Sequence, residues 1–219
     1  MSGLSEVSLI VPVHNEEKRL PALFSKLALG RFGEVIFVLD GCTDGSESLL
    51  PKKSGKIVLG KRKGKGFALR AGFLAARKPI VCFVDADGTF SQRQVGLVCK
   101  SCKKNGIAIA ERRVFPRERA LQRSGLRLIS RFFFGLKLKD TQCGLLAGGR
   151  KTLAEIIPAC KSDGYEFPVE LLWRAEKAGA RISTVGIRIP AEDYANSTFD
   201  EILDPVRMFR SLVRLRLLG

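Results

Sequence analysis

Two aspartates one residue apart, Asp85 and Asp87, close the apolar run IVCFVDADG. In extended chain, side chains two residues apart point the same way. Two carboxylates on one side of a strand end make a hard-oxygen site for Mg²⁺ or Mn²⁺. A cation there can bridge to a diphosphate and offset the charge that develops as it leaves. A solvated Asp/Gly turn is the competing reading of the same residues. The Gly/Lys loop GKRKGKG, residues 60–66, is a second candidate. Its glycines let backbone N–H groups approach an anion, and a helix N-terminus follows. The spacing is not that of a P-loop, and an exposed basic turn fits it as well. Asp40 and Asp44 flank a tight turn; a carboxylate there either accepts an N–H of a nucleotide base or shapes the turn. His14, the single histidine, reads as a hydrogen-bonded wall of the site rather than a general base.

These residues must be carried by a frame. The runs VSLIVPV (7–13), EVIFVL (34–39), KIVL (56–59) and IVCFV (80–84) read as buried strands, and helical patterns lie between them. The helices are expected over residues 16–29, with Asn15 as N-cap, over 46–50 and over 66–77. Repeated β–α units with continuously apolar strands imply an α/β fold with a mostly parallel sheet covered by helices. Ligands of such sheets bind beyond the carboxyl ends of the strands. His14–Glu16, Asp40–Asp44 and Asp85–Asp87 all fall there, and that convergence is the main sign of a site. Strands are also expected over 106–110, 144–147 and 181–189, and a helix containing Glu170 over 167–177. Residues 117–136 read as a two-faced helix. Arg119, Arg123, Arg127 and Arg131 recur every four residues, with Leu121, Leu128, Phe132 and Leu136 opposite. Asp204-Pro205 opens a last helix, with Val206, Phe209, Val213 and Leu217 on one face and Arg207, Arg210 and Arg214 on another.

The 219 residues suit one domain, and 45% apolar content is enough for a core. The net charge of +16 attracts polyanions: nucleic acid, anionic lipid or phosphorylated ligands. Aromatic–basic stacking motifs are missing, and nucleic acid does not explain acidic residues at three strand ends, so no nucleic-acid partner is expected. The first residues, MSGLSEVSLIVPVHNEE, do not read as a secretory signal, and six scattered cysteines suggest reduced thiols in a cytoplasmic setting. Cys99 and Cys102 form a lone CxxC, read as two helix residues rather than half a zinc site. No run of 18 apolar residues is present.

Six segments together resemble the family 2 glycosyltransferases, and within them the dolichol- or polyprenyl-phosphate mannose and glucose synthases. They are VSLIVPVHNEE, VIFVLDGCTDGS, GKRKGKGFALRAG, VCFVDADGTF, DTQCGLLAGGR and GYEFPVELLWRAEKAGARI, in the family's order and spacing up to about residue 190. The resemblance implies a GT-A fold in a single domain. Residues 1–105 would form a Rossmann-like nucleotide-sugar half, 106–200 an acceptor half and 201–219 an amphipathic basic C-terminal helix. It implies Pro12, Asn15 and Glu16 near the nucleoside, Asp40 near the base, Lys65 near the phosphates, and Asp85, Ala86 and Asp87 at the donor and its metal. Family members often carry paired Asp after the second strand; here the first position is Leu39, which leaves guanine or uracil open. The acceptor phosphate is placed near the Arg-bearing segment, with Arg112, Arg127, Ser130 and Arg131 as candidates. Guanidinium groups match phosphate bidentately.

The expected reaction is inverting transfer of a hexose from GDP-mannose or UDP-glucose to a polyprenyl phosphate. The enzyme is expected to lie peripherally on the cytoplasmic face of an anionic membrane. Asp140, Gln142 and Glu170 are expected to orient sugar or acceptor, with Asp140 also a possible metal ligand. Either Asp140 or Glu170 would be the base if the acceptor were a hydroxyl. A nucleotidyltransferase is the alternative enzyme class.

Overall fold

The computed structural model describes residues 3–102, 106–113, 131–190 and 210–216. Seven strands form one sheet: β1 (Val7–Val13), β2 (Glu34–Asp40), β3 (Gly55–Leu59), β4 (Ile80–Val84), β5 (Gly106–Arg112), β6 (Leu145–Gly149) and β7 (Arg181–Ile187). Their spatial order is β3-β2-β1-β4-β6-β5-β7. All pairings are parallel except those of β6, which runs against both β4 and β5. The strands expected from the sequence are all present, most with bounds shifted by one or two residues.

The central strands are apolar on both faces because helices cover both. Every residue of β1 except Pro12 is buried. Helix α2 (Lys65–Ala75) lies on β1 and β2, where Ala68, Leu69, Gly72 and Phe73 are buried. Helix α3 (Gln92–Ser101) packs on β5, β6 and β7. A reciprocal capping box starts it: Ser91 Oγ accepts from Gln94 N–H, and the Gln94 side chain accepts from Ser91 N–H at 2.8 Å. Helices α4 (Arg150–Ile156) and α5 (Phe167–Lys177) complete the layer near α2.

Three expectations need correction. The first helix, α1, spans Leu20–Lys26 only, and Asn15 does not cap it. Asn15 lies in the left-handed region at φ 55°, with its side chain turned to the next loop, accepting from Thr43 N–H at 2.8 Å. Near residue 131, the buried side chains are Phe134 and Leu136, whereas Phe132 is 82% exposed beside exposed Arg131. The apolar face expected there is therefore rotated, and Phe134 meets Trp173 edge-on at 5.3 Å. In the last helical stretch, 210–216, Leu212 and Leu215 are buried and Val213 is only partly so. The rest of both amphipathic patterns, including Arg127 and Ser130, lies outside the described residues.

The approach of α2 to the sheet is set by Gly72. A Cβ there would collide with the Ile10 side chain and press on Val38. Alanine gains about 1 kcal/mol of helix propensity, but overpacking a full core costs about 1–3 kcal/mol. Gly72→Ala is therefore expected to lower the urea midpoint rather than raise it.

Candidate active site

The parallel strands place the carboxyl ends of β1, β2, β3 and β4 on one edge of the sheet. Because β6 is reversed, its first residues arrive at that edge too, and β5 again ends there. The chain leaves β1 toward β2 and β3 on one side and returns to β4 on the other. The crevice between β1 and β4 is thus a topological switch point. Loops 14–17, 40–46, 60–66, 85–89 and 140–144 surround it.

Asp85 and Asp87 sit just past β4 in a turn, not in extended chain. Asp87 accepts from Thr89 N–H at 2.9 Å, and Gly88 turns the backbone at φ 71°. Asp85 N–H donates to the Gly144 carbonyl at 3.0 Å, and a Cβ on Gly144 would strike the Asp85 carboxylate. Only glycine lets the 140–144 loop lie that close. Ala86, between them, is buried in the core.

Glu16 joins the two aspartates. Burial, opposed by Arg19 and reinforced by Asp87 and Asp85, pushes the Glu16 carboxyl up to about 7. Burial and the charge of Asp85 raise Asp87 as well. Two cations answer this cluster. Arg19 meets Glu16 at 2.6 Å, and Lys65 Nζ meets Asp85 Oδ1 at 2.6 Å. Burial pulls the Lys65 ammonium down, but the charge and hydrogen bond of Asp85 outweigh it, with help from Tyr165 and Asp87, and its pKa rises. The surplus of carboxylate charge and the hard-oxygen donors fit Mg²⁺ or Mn²⁺. Among the described residues no three or more His, Cys, Asp or Glu side chains converge as a metal cage. A cation here would take its other ligands from a diphosphate and water.

The basic loop is not an open anion cradle. Asp40, 3% exposed, accepts from Lys63 N–H at 2.6 Å and Gly64 N–H at 2.8 Å. At the start of α2, Gly66 N–H donates to the Asp163 carbonyl at 2.7 Å and Phe67 N–H to the same oxygen at 3.4 Å. Four of the backbone donors expected to greet an anion, those of Lys63, Gly64, Gly66 and Phe67, are therefore engaged internally. The Lys65 side chain is what this segment sends to the carboxylate cluster. Asp40 clamps this loop, which is a different task from reading a base. His14 Nδ1 lies 2.6 Å from the Asp40 carbonyl, in keeping with a wall residue. Loop 14–17 is stitched to loop 43–46 by Glu16 N–H to Ser46 Oγ at 2.8 Å and Glu17 N–H to Asp44 at 3.0 Å.

The two carboxylates expected to act on substrate are committed elsewhere. Asp140, 3% exposed, is held bidentately by Arg112, with Nε to Oδ2 at 2.8 Å and Nη2 to Oδ1 at 3.0 Å. This pair ties loop 140–144 to the end of β5, so Arg112 reaches Asp140 rather than standing open for an acceptor phosphate. Glu170 is fully buried. It accepts from Ser162 N–H at 2.7 Å, Lys161 N–H at 3.0 Å and Arg174 Nε at 2.8 Å. Burial opposes ionisation, but these hydrogen bonds hold its carboxyl below the ordinary 4.5. Glu170 therefore positions loop 160–166, which Arg70 also grips through the Ser162 carbonyl and the Asp163 carboxylate.

Tyr165, absent from the sequence-based candidates, stands on this loop with its ring centroid 5.6 Å from Lys65 Nζ. The aromatic in GYEF was the only available signal. Gln142 keeps a buried amide nitrogen without a hydrogen-bond partner, beside Cys143 and the Asp85-facing Gly144. Of the CxxC pair, Cys99 lies in α3 and Cys102 just past its end; both are buried, and burial pushes Cys102 up to about 12.

Comparison with known proteins fits this site. The model of the Glycosyl transferase family 2 family matches residues 8–154, more than half of the chain. A dolichyl-phosphate beta-glucosyltransferase of Dictyostelium discoideum is 28% identical over 96% of this chain and 73% of its own length. Its Drosophila melanogaster counterpart is 32% identical over 84% of this chain and 66% of that protein, so the chain spans just under two thirds of the fly protein. An undecaprenyl-phosphate 4-deoxy-4-formamido-L-arabinose transferase of Pseudomonas aeruginosa is 26% identical over 74% and 52%. Among solved structures, glucosyl-3-phosphoglycerate synthase of Mycobacterium tuberculosis, crystallised with Mn²⁺, UDP-glucose and phosphoglyceric acid, superposes with a TM-score of 0.73. It is 21% identical and is matched over 96% of this chain and 78% of that one.

The fold is GT-A, and the protein is a glycosyltransferase. The chain belongs to glycosyltransferase family 2.

Two measurements check the electrostatics. Between pH 4.5 and about 7 the folded chain keeps a proton on Glu16 that the unfolded chain has released. This group's contribution to stability therefore falls as pH rises through that window. Glu16→Gln is expected to shrink the loss between about pH 5 and about pH 8 by about 2 kcal/mol in urea titrations. Glu170→Ala, by leaving Arg174, the buried Ser162 N–H and the Lys161 N–H unmatched, is expected to cost about 3 kcal/mol of stability as well as activity. A purely catalytic residue would lose activity alone.

Proposed function

We propose that the chain moves glucose from UDP-glucose to a polyprenyl phosphate. The observation that carries this is the acidic cluster at the switch point, Asp85, Asp87 and Glu16, with Lys65 set against it. The names of the Dictyostelium and Drosophila relatives support glucose and a polyprenyl-type phosphate, and the UDP-glucose of the mycobacterial neighbour supports the uridine donor over GDP-mannose.

In this reading Pro12, Asn15 and Glu16 line the nucleoside. Asp85 and Asp87 hold a divalent cation. When bound, that cation supplies Lewis-acid stabilisation of the diphosphate leaving group. Lys65 adds a further positive charge toward the same phosphates. A phosphate oxygen of the acceptor attacks C1 of glucose on the face opposite UDP. The new C1–O bond forms as the old one breaks, the anomeric carbon inverts, and UDP leaves with the bonding pair. That oxygen is ionised at neutral pH, so no side chain has to remove a proton. Burial of Glu170 and the bidentate pairing of Asp140 are compatible with this.

Arg131 is exposed and is the candidate for the acceptor phosphate among the described residues. Phe132 beside it, and exposed Arg210, Arg214 and Arg216, suit peripheral contact with the anionic cytoplasmic face of a membrane. No helix among the described residues is long and apolar enough to cross a membrane.

The test incubates the protein with Mn²⁺, labelled UDP-glucose or GDP-mannose, and either a short polyprenyl phosphate or phosphoglyceric acid. The expected product is lipid-linked glucose. Asp87→Asn is expected to lower its rate about a hundred-fold or more. Full activity in Asp87→Asn would overturn the metal assignment, and product only with phosphoglyceric acid would overturn the lipid acceptor.

A further inference from the structure

Lys65 is held from two sides. Its ammonium contacts Asp85 Oδ1 at 2.6 Å, and the Tyr165 ring lies 5.6 Å away. Its backbone is fixed: Gly64 before it takes φ 106° and is clamped by Asp40, and Gly66 after it donates to the Asp163 carbonyl. Only the side chain has room to change, and a lysine stem has four rotatable bonds. A cation held by Asp85 and Asp87 would compete with Lys65 for the Asp85 carboxylate. Two cations cannot both make contact with one carboxylate oxygen without strong repulsion.

Resting on the donor-site reading above, we propose that Lys65 is the internal counter-ion of Asp85 in the unloaded enzyme and is handed over to the donor diphosphate when a divalent cation takes its place. The exchange leaves neither Asp85 nor the Lys65 ammonium without an opposite charge at either stage. Before loading, Lys65 and Arg19 offset the three clustered carboxylates. After loading, the dication answers Asp85 and Asp87. The freed ammonium then faces a diphosphate that carries two negative charges in UDP-glucose and gains one more as UDP departs. Tyr165 offers the ammonium a π-face over which to move, at the separation where cation–π attraction operates. Loop 160–166, pinned by Glu170 and Arg70, keeps that ring in place.

The test reads metal binding, not turnover. Mn²⁺ is titrated by electron paramagnetic resonance into unloaded wild type, Lys65→Met, Lys65→Arg and Asp87→Asn, and UDP is titrated with and without Mn²⁺. Losing the competing ammonium is expected to tighten Mn²⁺ binding to Lys65→Met at least about five-fold, while weakening UDP binding in Mn²⁺ by a similar factor. Lys65→Arg should bind Mn²⁺ as wild type does. Thermal unfolding monitors folding, and Lys65→Gln removes the same charge should the methionine variant not fold. If wild type binds Mn²⁺, Asp87→Asn does not, and neither neutral Lys65 variant binds it more tightly, the handover is wrong while the donor site stands. If Asp87→Asn binds Mn²⁺ like wild type, or no variant binds it even with UDP present, the donor-site reading falls and the handover with it.

Discussion

The site depends on keeping like charges together. Glu16, Asp85 and Asp87 come from the ends of two neighbouring strands and crowd into a partly buried crevice, where burial and the neighbouring aspartates disfavour ionisation of Glu16, and burial and Asp85 that of Asp87. Such a cluster holds only if cations are fixed beside it. Arg19 is the N-cap of α1 and Lys65 the first residue of α2. The helices that cover the sheet therefore also set the electrostatics of its edge. Much of the surrounding hydrogen bonding serves to hold those two helix starts. Asp40 fixes the loop that leads into Lys65, and the Asp163 carbonyl caps the helix that Lys65 begins.

The reversed strand β6 brings the second half of the chain to the same edge. Pairing against β4 puts Leu145 opposite Val84, so Gly144 falls beside Asp85. Pairing against β5 then returns Arg112 to that edge, where it holds Asp140. A parallel strand in this position would have delivered its other end and left loop 140–144 across the sheet from the cluster. One antiparallel strand is thus what lets residues from both halves of the chain surround a single crevice.

The strands and the aspartate pair were legible because their signals are local. Apolar runs such as VSLIVPV and IVCFV declare buried strands, and the residues just after them declare an edge rich in polar groups. The roles of Asp140 and Glu170 were not legible. Their identities suggested chemistry, but partners decide the matter, and Arg112 is 28 residues from Asp140. Glu170 is nearer its partners in sequence, yet the loop that folds back on it has no periodicity to betray its path. The basic loop misled for a related reason. Glycine and lysine advertise an anion site, while the carboxylate that consumes the backbone donors, Asp40, lies over twenty residues earlier. Tyr165 was missed because a lone aromatic in a polar loop carries no spacing signal, and only the docked loop shows it facing Lys65.

These commitments bear on which acceptor suits the site. A hydroxyl must lose its proton as it attacks, so a poised base within hydrogen-bond reach is required. Glu170 has no exposed surface, and three N–H groups lower its basicity. Asp140 is buried and has both carboxylate oxygens engaged by the Arg112 guanidinium. An acceptor phosphate needs neither. It arrives ionised, and its main requirement is a cationic surface that brings it in line with the sugar without repelling the departing diphosphate. Of the acidic residues near the crevice, Glu16, Asp85 and Asp87 cluster, while Asp40, Asp140 and Glu170 serve as internal braces. The same two carboxylates that would have been the bases of a hydroxyl-transferring enzyme have here become parts of its frame.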